Sequence, residues 1–282
     1  MNALEVSVLG VGLLGPGLPS WPAAQAVFDG RMPYVPMPAV LAPPARLPPA
    51  ERRRAGASIR LAMAVADEAI AQAGIDPHRL ATVFASSGGE GTNCHVLCET
   101  LASADRHLSP TRFTNSVHNA AAGYWHIAVA SQAASTSLSA YDGSFCAGLI
   151  EAATQVRWSN APVLLVACDV PYPEPLHSRR PLPHAMGLAL LLAPVDALLL
   201  PPADADTTRA RLGIELIDAA DAATSTRCSN LELERLRCSV PAAAALSLFE
   251  ALARHSADTA LVLDYLPTLK VALRLHATKA AS

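Results

Sequence analysis

Residues 135–153, STSLSAYDGSFCAGLIEAA, contain the residue types that a nucleophilic site needs. A β-prone run leads into a sharp Asp-Gly turn at 142–143, and an amphipathic helix follows directly. Because the N-terminus of a helix carries partial positive charge, it stabilises a thiolate or another anion. Phe145 stands at the start of this helix, between Ser144 and Cys146. The segment therefore predicts either a working nucleophile or a site whose reactive atom has been replaced.

Two other groups of reactive residue types have plainer interpretations. Cys94, His95 and Cys98 suggest a metal site, but the chain has no CxxC pair, and we expect one helical face carrying two buried thiols. The Ser- and Gly-rich run at 86–91 suggests a phosphate-binding loop, but the lysine of the Walker pattern is missing. We therefore predict a turn after a strand there, and neither a metal nor a cofactor for the chain.

Composition disfavours several classes of partner. The chain has 282 residues, a formal net charge of −3 and only 16% charged residues, which argues against binding to nucleic acid or to an anionic membrane. Hydrophobic residues make up 51% of the chain, enough for a large core and consistent with a surface partly covered by another subunit. We expect no secretory signal, no membrane span, and reduced cysteines in a cytoplasmic protein.

Strands and helices alternate along the sequence, which predicts a mostly parallel, layered α/β domain. Apolar residues at helical spacing indicate one helix that ends at Gly74 and another that begins at Phe145. We expect a Pro-rich connection at 33–49 and a mobile loop at 200–212. The predicted strands are 5–14, 81–87, 136–140, 162–169, 185–193, 213–217, 259–265 and 268–276, and the predicted helices are 50–74, 93–102, 117–131, 145–157 and 241–255.

Three blocks of sequence together resemble the β-ketoacyl synthases of the thiolase fold. They are SPTRFTNSVHNAAAGYWHIA (109–128), the nucleophile-like segment at 135–153, and APVLLVACDVP (161–171), in the order found in that family. VLGVGLLGPG and ATVFASSGGEGT also fit, so that the resemblance covers Val6 to Pro194. The first block is similar to synthase-like proteins of bacterial aryl polyene gene clusters, which are related to type II polyketide systems.

The resemblance implies a thiolase-like layered αβαβα fold that is truncated in its second half. Residues 1–194 would form the ketosynthase-like N-terminal half, and residues 195–282 a shortened C-terminal half of the same compact domain. In an active synthase the nucleophilic Cys precedes two small residues, a Gly and an apolar residue. That pattern places Phe145 at the nucleophile position, and phenylalanine has no heteroatom to form a thioester. A register shift of one residue would place Ser144 or Cys146 there instead.

The histidines that the family uses in its C-terminal half are also missing. Active synthases hold the thioester carbonyl with two histidines. One lies in a Pro-His-Gly-Thr-like turn and the other beside a Gly-rich strand end, and neither motif follows Phe145. His177 and His184 come too early in the chain, and His255 and His276 lie outside any such motif. The resemblance therefore implies a subunit that is not an enzyme by itself.

In type II polyketide systems such a subunit, the chain length factor, pairs with a catalytic ketosynthase. The resemblance implies a heterodimer with an active ketosynthase, transient contact with an acyl carrier protein, and a role in shaping the acyl tunnel. The implied dimer strand would join the partner's sheet antiparallel. Its residues are Ser135, Thr136, Ser137, Leu138, Ser139 and Ala140.

Four upstream residues allow two interpretations. His118, Asn119, Tyr124 and Trp125 either line an acyl pocket or partner-facing surface, or Tyr124 and Trp125 fill the core while His118 hydrogen-bonds a nearby carbonyl. Two other functions also stay open. One is an acyltransferase or thioesterase with Ser144 or Cys146 as acyl acceptor and His118 as base, and the other is a homodimer that docks a carrier protein.

Overall fold

Eight strands form a single sheet in the computed structural model, which describes residues 3–196, 210–222, 224–255 and 258–277. The strands are β1 (Leu4–Leu14), β2 (Ala81–Ala85), β3 (Ser135–Leu138), β4 (Val163–Asp169), β5 (Met186–Ala193), β6 (Ala210–Asp218), β7 (Thr259–Leu266) and β8 (Leu269–Ala277). Their order across the sheet is β3-β2-β4-β5-β1-β6-β8-β7. Strand β3 therefore lies at one edge, and β7 at the other.

The sheet is mixed, so the prediction of mostly parallel strands is wrong. Only the β2–β3 and β2–β4 pairs are parallel, and all the other described pairs are antiparallel. The link from β4 to β5 contains only the four-residue helix α8 (Leu176–Arg179) in place of a longer crossover helix, and these two strands pair antiparallel. The loop predicted at 200–212 falls mostly outside the described residues, and its last three residues begin β6.

Helices cover both faces of this sheet. Besides α8, they are α1 (Trp21–Phe28), α2 (Pro49–Arg54), α3 (Ala57–Ala73), α4 (Gly91–Ala102), α5 (Pro110–Thr114), α6 (Ala120–Ala128), α7 (Ser144–Ser159), α9 (Leu231–Ser239) and α10 (Leu246–Ala253). Helices α3 and α6 pack on one face, and α1, α7 and α10 on the other. The described residues thus form three layers with one sheet, and the strands after residue 195 extend that sheet through the β1–β6 pair. The division at residue 194 stays a prediction.

Helix α3 crosses β1 so closely that two positions on the strand accept only glycine. A Cβ atom on Gly10 would lie 2.1 Å from the Ala69 carbonyl oxygen, and one on Gly12 would lie 2.0 Å from the Val65 carbonyl oxygen. Both distances are far inside van der Waals contact, so any side chain would force the helix away from the sheet. The glycines of VLGVGLLG therefore serve helix–strand packing.

Side chains of α3 also complete the hydrogen bonding of β1. Within the described residues, β6 pairs with β1 only as far as Val8, and side chains of α3 accept from later N–H groups of β1. The Val11 N–H donates to Gln72 Oε1 at 2.9 Å, and the Leu13 N–H donates to Glu68 Oε2 at 2.8 Å. The other oxygen of Glu68 accepts from the Trp21 N–H at 2.7 Å, so this carboxylate joins α3, β1 and α1.

Stability should depend on pH through Glu68. Burial raises the pKa of this carboxyl from 4.5 to about 7, so the folded state binds a proton that the unfolded state has released between these values. The free energy of unfolding should therefore fall as pH rises from about 4.5 to 7, by at most about 1.4 kcal/mol per pH unit. The measurement is urea unfolding at several pH values for wild type and Glu68→Gln.

The Gln variant loses one acceptor and should be less stable in absolute terms, so the readout is the pH slope. We expect the difference in unfolding free energy between the two proteins to change across this window. Parallel pH profiles would show that Glu68 does not titrate as described.

Candidate functional site

The first turn of α7 is buried in the protein. Ser144, Phe145 and Cys146 are only 2%, 1% and 1% exposed, respectively. The Phe145 ring packs edge-on against Phe249 of α10, with 6.4 Å between ring centroids. Both rings lie in the core between the sheet and helices α1, α7 and α10. A side chain in this position fills the core and offers no group to a substrate. The assignment of Phe145 as the nucleophile equivalent stays a prediction.

The Ser144 hydroxyl is hydrogen-bonded to the turn that precedes it. Its Oγ accepts a hydrogen bond from the Ala140 N–H at 3.0 Å and donates one to the Tyr141 carbonyl at 2.7 Å. The hydroxyl proton is thus directed to a backbone oxygen and away from any base. This arrangement fastens the turn to the helix, and it leaves Ser144 without the partner that an acyl acceptor requires.

Cys146 is a buried neutral thiol. Its Sγ donates to the Asp264 carbonyl at 3.3 Å, and burial, with a smaller contribution from the charge of Asp264, raises the pKa to about 12. Nucleophilic cysteines have a lowered pKa, because the thiolate is the reactive form. The position of Cys146 inside the helix does not compensate for its burial, so the thiol stays protonated at neutral pH.

Histidines do not activate either side chain. The described hydrogen bonds of Ser144 and Cys146 all go to backbone atoms. His276 contacts Asp258, and His118 lines the groove beside Ser135 and Ser137. The geometry does not supply the nucleophile–base pair that acyl transfer needs.

Strand β3 lies at the sheet edge, as a pairing strand must. It ends at Leu138, so the predicted strand was two residues too long at its C-terminal end. The reason is local: the Ala140 N–H turns toward Ser144 Oγ, and Ser139 Oγ donates to the Ser87 carbonyl at 3.2 Å. Both residues therefore belong to the turn.

The backbone of β3 alternates between β2 and the open edge. The Thr82 N–H donates to the Ala134 carbonyl, and the Ser86 N–H donates to the Leu138 carbonyl. Because backbone groups of successive strand residues point to opposite sides, Ser135 and Ser137 direct their N–H and C=O groups away from β2. These groups are available to a further strand.

The four residues predicted near a pocket or partner are separated by the structure. His118 and Asn119 are exposed and line an open groove of about 470 Å³ beside Ser135 and Ser137. Tyr124 and Trp125 do not share this position, because they are 7% and 0% exposed and pack in the core on the α3 face. The Tyr124 hydroxyl donates to Asn115 Oδ1 at 3.1 Å.

Large apolar side chains are exposed in the segment that contains α5 and α6. Phe113 is 64% exposed, Val117 50% and Ile127 54%. Scattered exposed apolar residues are common on protein surfaces. Here they occur on the segment that also supplies the groove beside β3, which makes this side of the molecule a candidate contact surface.

The turn after β2 is a structural junction, and its first N–H groups are hydrogen-bonded within the protein. The Gly89 N–H donates to Ser86 Oγ at 2.9 Å, and the Ser87 N–H donates to Asp169 at 2.8 Å. Asp169 also accepts from the Ala242 N–H at 2.8 Å, which joins the two halves of the chain. Burial raises the pKa of this carboxyl, and these hydrogen bonds oppose the shift. Asp169 is not among the functional residues predicted from the sequence.

The expectation of two buried thiols on α4 is wrong. Cys94 and Cys98 are both exposed, because α4 buries only Leu97. Across the described part of the chain, no three His, Cys, Asp or Glu side chains are grouped closely enough to hold a metal ion. None of the helices described here is both long and apolar enough to cross a membrane.

Comparison with known proteins connects this geometry to one family. The family model described as "Beta-ketoacyl synthase, N-terminal domain" matches residues 21–238. No curated protein sequence matches the chain. A structure of a ketosynthase (ApeO) in complex with its chain length factor (ApeC) from Xenorhabdus doucetiae is similar, with a TM-score of 0.69 and 20% identity over 96% of this chain and 99% of that one.

Two further structures have the same fold. The ishigamide ketosynthase/chain length factor gives a TM-score of 0.68 at 13% identity, covering 97% of this chain and 100% of that one. A type II polyketide acyl carrier protein in complex with its ketosynthase (AntDE:AntF) gives 0.75 at 13% identity, covering 99% and 100%. These similarities confirm the predicted thiolase-like α/β fold class.

Native thiol labelling should divide the six cysteines by exposure and pKa. We expect iodoacetamide at pH 8 to modify Cys94 and Cys98 first, since both are exposed. Cys146, Cys168 and Cys228 are buried, with raised pKa values, and should be modified only after unfolding. Peptide mass mapping over time gives the readout. Native labelling of Cys146 as fast as that of Cys94 would contradict the description of α7.

Proposed function

Because the chain belongs to the β-ketoacyl synthase family, we propose that it is a non-catalytic subunit of the chain-length-factor type. In this role it pairs with an active ketosynthase, stabilises that partner and shapes the tunnel that holds the growing acyl chain. An acyl carrier protein contacts the pair transiently to deliver substrate.

The chemistry at the start of α7 is the observation that carries this proposal. A condensing enzyme needs a thiolate there, and this chain has a satisfied hydroxyl, a core phenylalanine and a protonated thiol. With Phe145 as the nucleophile equivalent, an aromatic ring packed in the core would stand where an active synthase carries its reactive sulfur. The fold is retained while the reaction is lost, which fits a subunit whose function depends on its partner.

The edge position of β3 supports pairing. The outward backbone groups of Ser135 and Ser137 would be satisfied if the partner's equivalent strand extended the sheet antiparallel. The groove beside β3 and the exposed Phe113, Val117 and Ile127 would then be covered as well. Similar structures include complexes of a ketosynthase with its chain length factor and one with an acyl carrier protein, which supports the same assembly for this chain.

An independent acyltransferase or thioesterase is not favoured by the geometry. Ser144 would have to leave the turn that it fastens, and Cys146 would have to ionise in the core without a nearby imidazole. Either change would break contacts that hold the start of α7 in place.

A proline in β3 should weaken the pairing selectively. Ser137→Pro removes an N–H that points to the open edge, so the β2–β3 hydrogen bonds stay intact and the chain should still fold. Ser137→Ala is the matched control because it keeps that N–H. We expect the Pro variant to bind the co-expressed ketosynthase at least about tenfold more weakly than wild type, through lost hydrogen bonds and ring clashes. The Ala variant should bind like wild type.

Co-purification followed by size-exclusion chromatography and a dissociation-constant measurement gives the result. The binding partner is the full-length β-ketoacyl synthase of the same organism whose gene lies closest to the gene for this chain. Elution of this chain as a lone monomer or as a self-paired dimer in the presence of that synthase would contradict the proposal, as would equal affinity of the Pro and Ala variants.

A further inference from the structure

The turn between β3 and α7 holds a tyrosine in an unusual backbone conformation. Tyr141 has φ of +53°, in the left-handed region that residues other than glycine rarely adopt. Contacts on both sides enforce this conformation. Ser144 Oγ donates to the Tyr141 carbonyl, and a Cβ on Gly143 would lie 2.4 Å from the Tyr265 carbonyl oxygen, which shows how closely β7 packs against the turn. Strained positions of this kind persist where the surrounding structure determines them.

The Tyr141 side chain faces a cavity, unlike that of Phe145. The cavity has a volume of about 420 Å³, and Tyr141 lines it together with Leu182, Val240, Pro241 and Tyr265. These residues come from the connection before β5, the segment after α9, and β7. Tyr141 is 61% exposed, whereas Phe145, one helical turn further on, is 1% exposed and points into the core.

Arg180 covers Tyr141 at the cavity. Its guanidinium carbon lies 3.4 Å from the centroid of the Tyr141 ring, and its Nη2 lies 2.6 Å from Asp142 Oδ1. The ring of Tyr172 lies on the same guanidinium at 6.0 Å. The Arg180 side chain is only 18% exposed, so the cation–π contact and the ion pair are both partly protected from water. Together they hold the cation over the turn.

We infer that Tyr141 is the side chain that this fold presents to its cavity, and that Arg180 shields one face of its ring there. The strand-to-helix turn still presents one residue, but that residue carries a phenol under a guanidinium and no thiol that could accept an acyl group. This inference deepens the proposed non-catalytic function and rests on it for its biological meaning. It also gives a rival to Phe145 as the position where an active relative would carry its reactive atom.

Thiol substitution on the purified chain, alone or with its partner, tests the inference. In a background with Cys94→Ser, Cys98→Ser and Cys238→Ser, the exposed native thiols are gone. Tyr141→Cys should then react with iodoacetamide at least about tenfold faster than the buried Cys146 of the same molecule, the thiolate displacing iodide. Because Arg180 both covers position 141 and favours a thiolate through its charge, the rates are compared at equal thiolate fraction, and adding Arg180→Ala should then speed the reaction several-fold.

Phe145→Cys in the same background is the matched comparison. It should label as slowly as Cys146 while the chain remains folded, which its urea midpoint establishes. If that variant does not fold, the ratio of Tyr141→Cys to Cys146 still decides. If Tyr141→Cys is labelled no faster than Cys146, Tyr141 is not the residue that faces the cavity. Labelling of folded Phe145→Cys as fast as Tyr141→Cys would overturn the inference in the same way.

An unchanged rate with Arg180→Ala, at equal thiolate fraction, would overturn the shielding by Arg180. Because labelling needs no partner, these outcomes are independent of pairing. Slow labelling with normal pairing refutes only this inference, and fast labelling without pairing refutes only the proposed assembly.

Discussion

Burial of the first turn of α7 is the constraint on which the rest of the structure depends. The helix packs against the central strands of the sheet and against the segment before α10, so its N-terminus is enclosed by protein atoms. The Ser144 hydroxyl and the Cys146 thiol each have a backbone partner, and the ring of Phe145 packs against Phe249. This packing joins the two halves of the chain, and it also leaves no ionised nucleophile. The packing at the start of α7 therefore also keeps the Cys146 thiol protonated.

The second constraint is the open edge at β3. The opposite edge of the sheet is partly covered, because Thr226 exchanges hydrogen bonds with Val262 of β7. On the β3 side, the outward groups of Ser135 and Ser137 lie beside a groove and exposed apolar residues. An uncovered edge is a liability for a soluble protein unless something pairs with it. An edge of this kind is well suited to assembly with a second chain.

Periodicity and turn signals predicted much of this fold from sequence. The apolar stripe that begins at Phe145 indicated α7, and Gly74 ends α3 in the left-handed conformation, with φ of +64°. Strand direction could not be read in the same way, because alternation of elements does not tell a helical crossover from a return over α8. Nor does the spacing of Cys94 and Cys98 say whether their shared face meets the core or solvent. The i, i+4 pair Glu68 and Gln72 was a usable signal for a common partner on β1, and it was missed.

The candidate site was predicted to the right turn but not to its contacts. The turn at Asp142-Gly143 was expected, whereas the positive φ of Tyr141 depends on packing against β7, and the stack with Arg180 joins residues far apart in sequence. The central claim is that this chain carries no acyl intermediate. Its most direct test is the intact mass of both subunits after the purified complex is incubated with an acyl-carrier-protein thioester. We predict an acyl adduct on the partner ketosynthase and none on this chain. An adduct on this chain that is lost in Cys146→Ala or Ser144→Ala would contradict that claim.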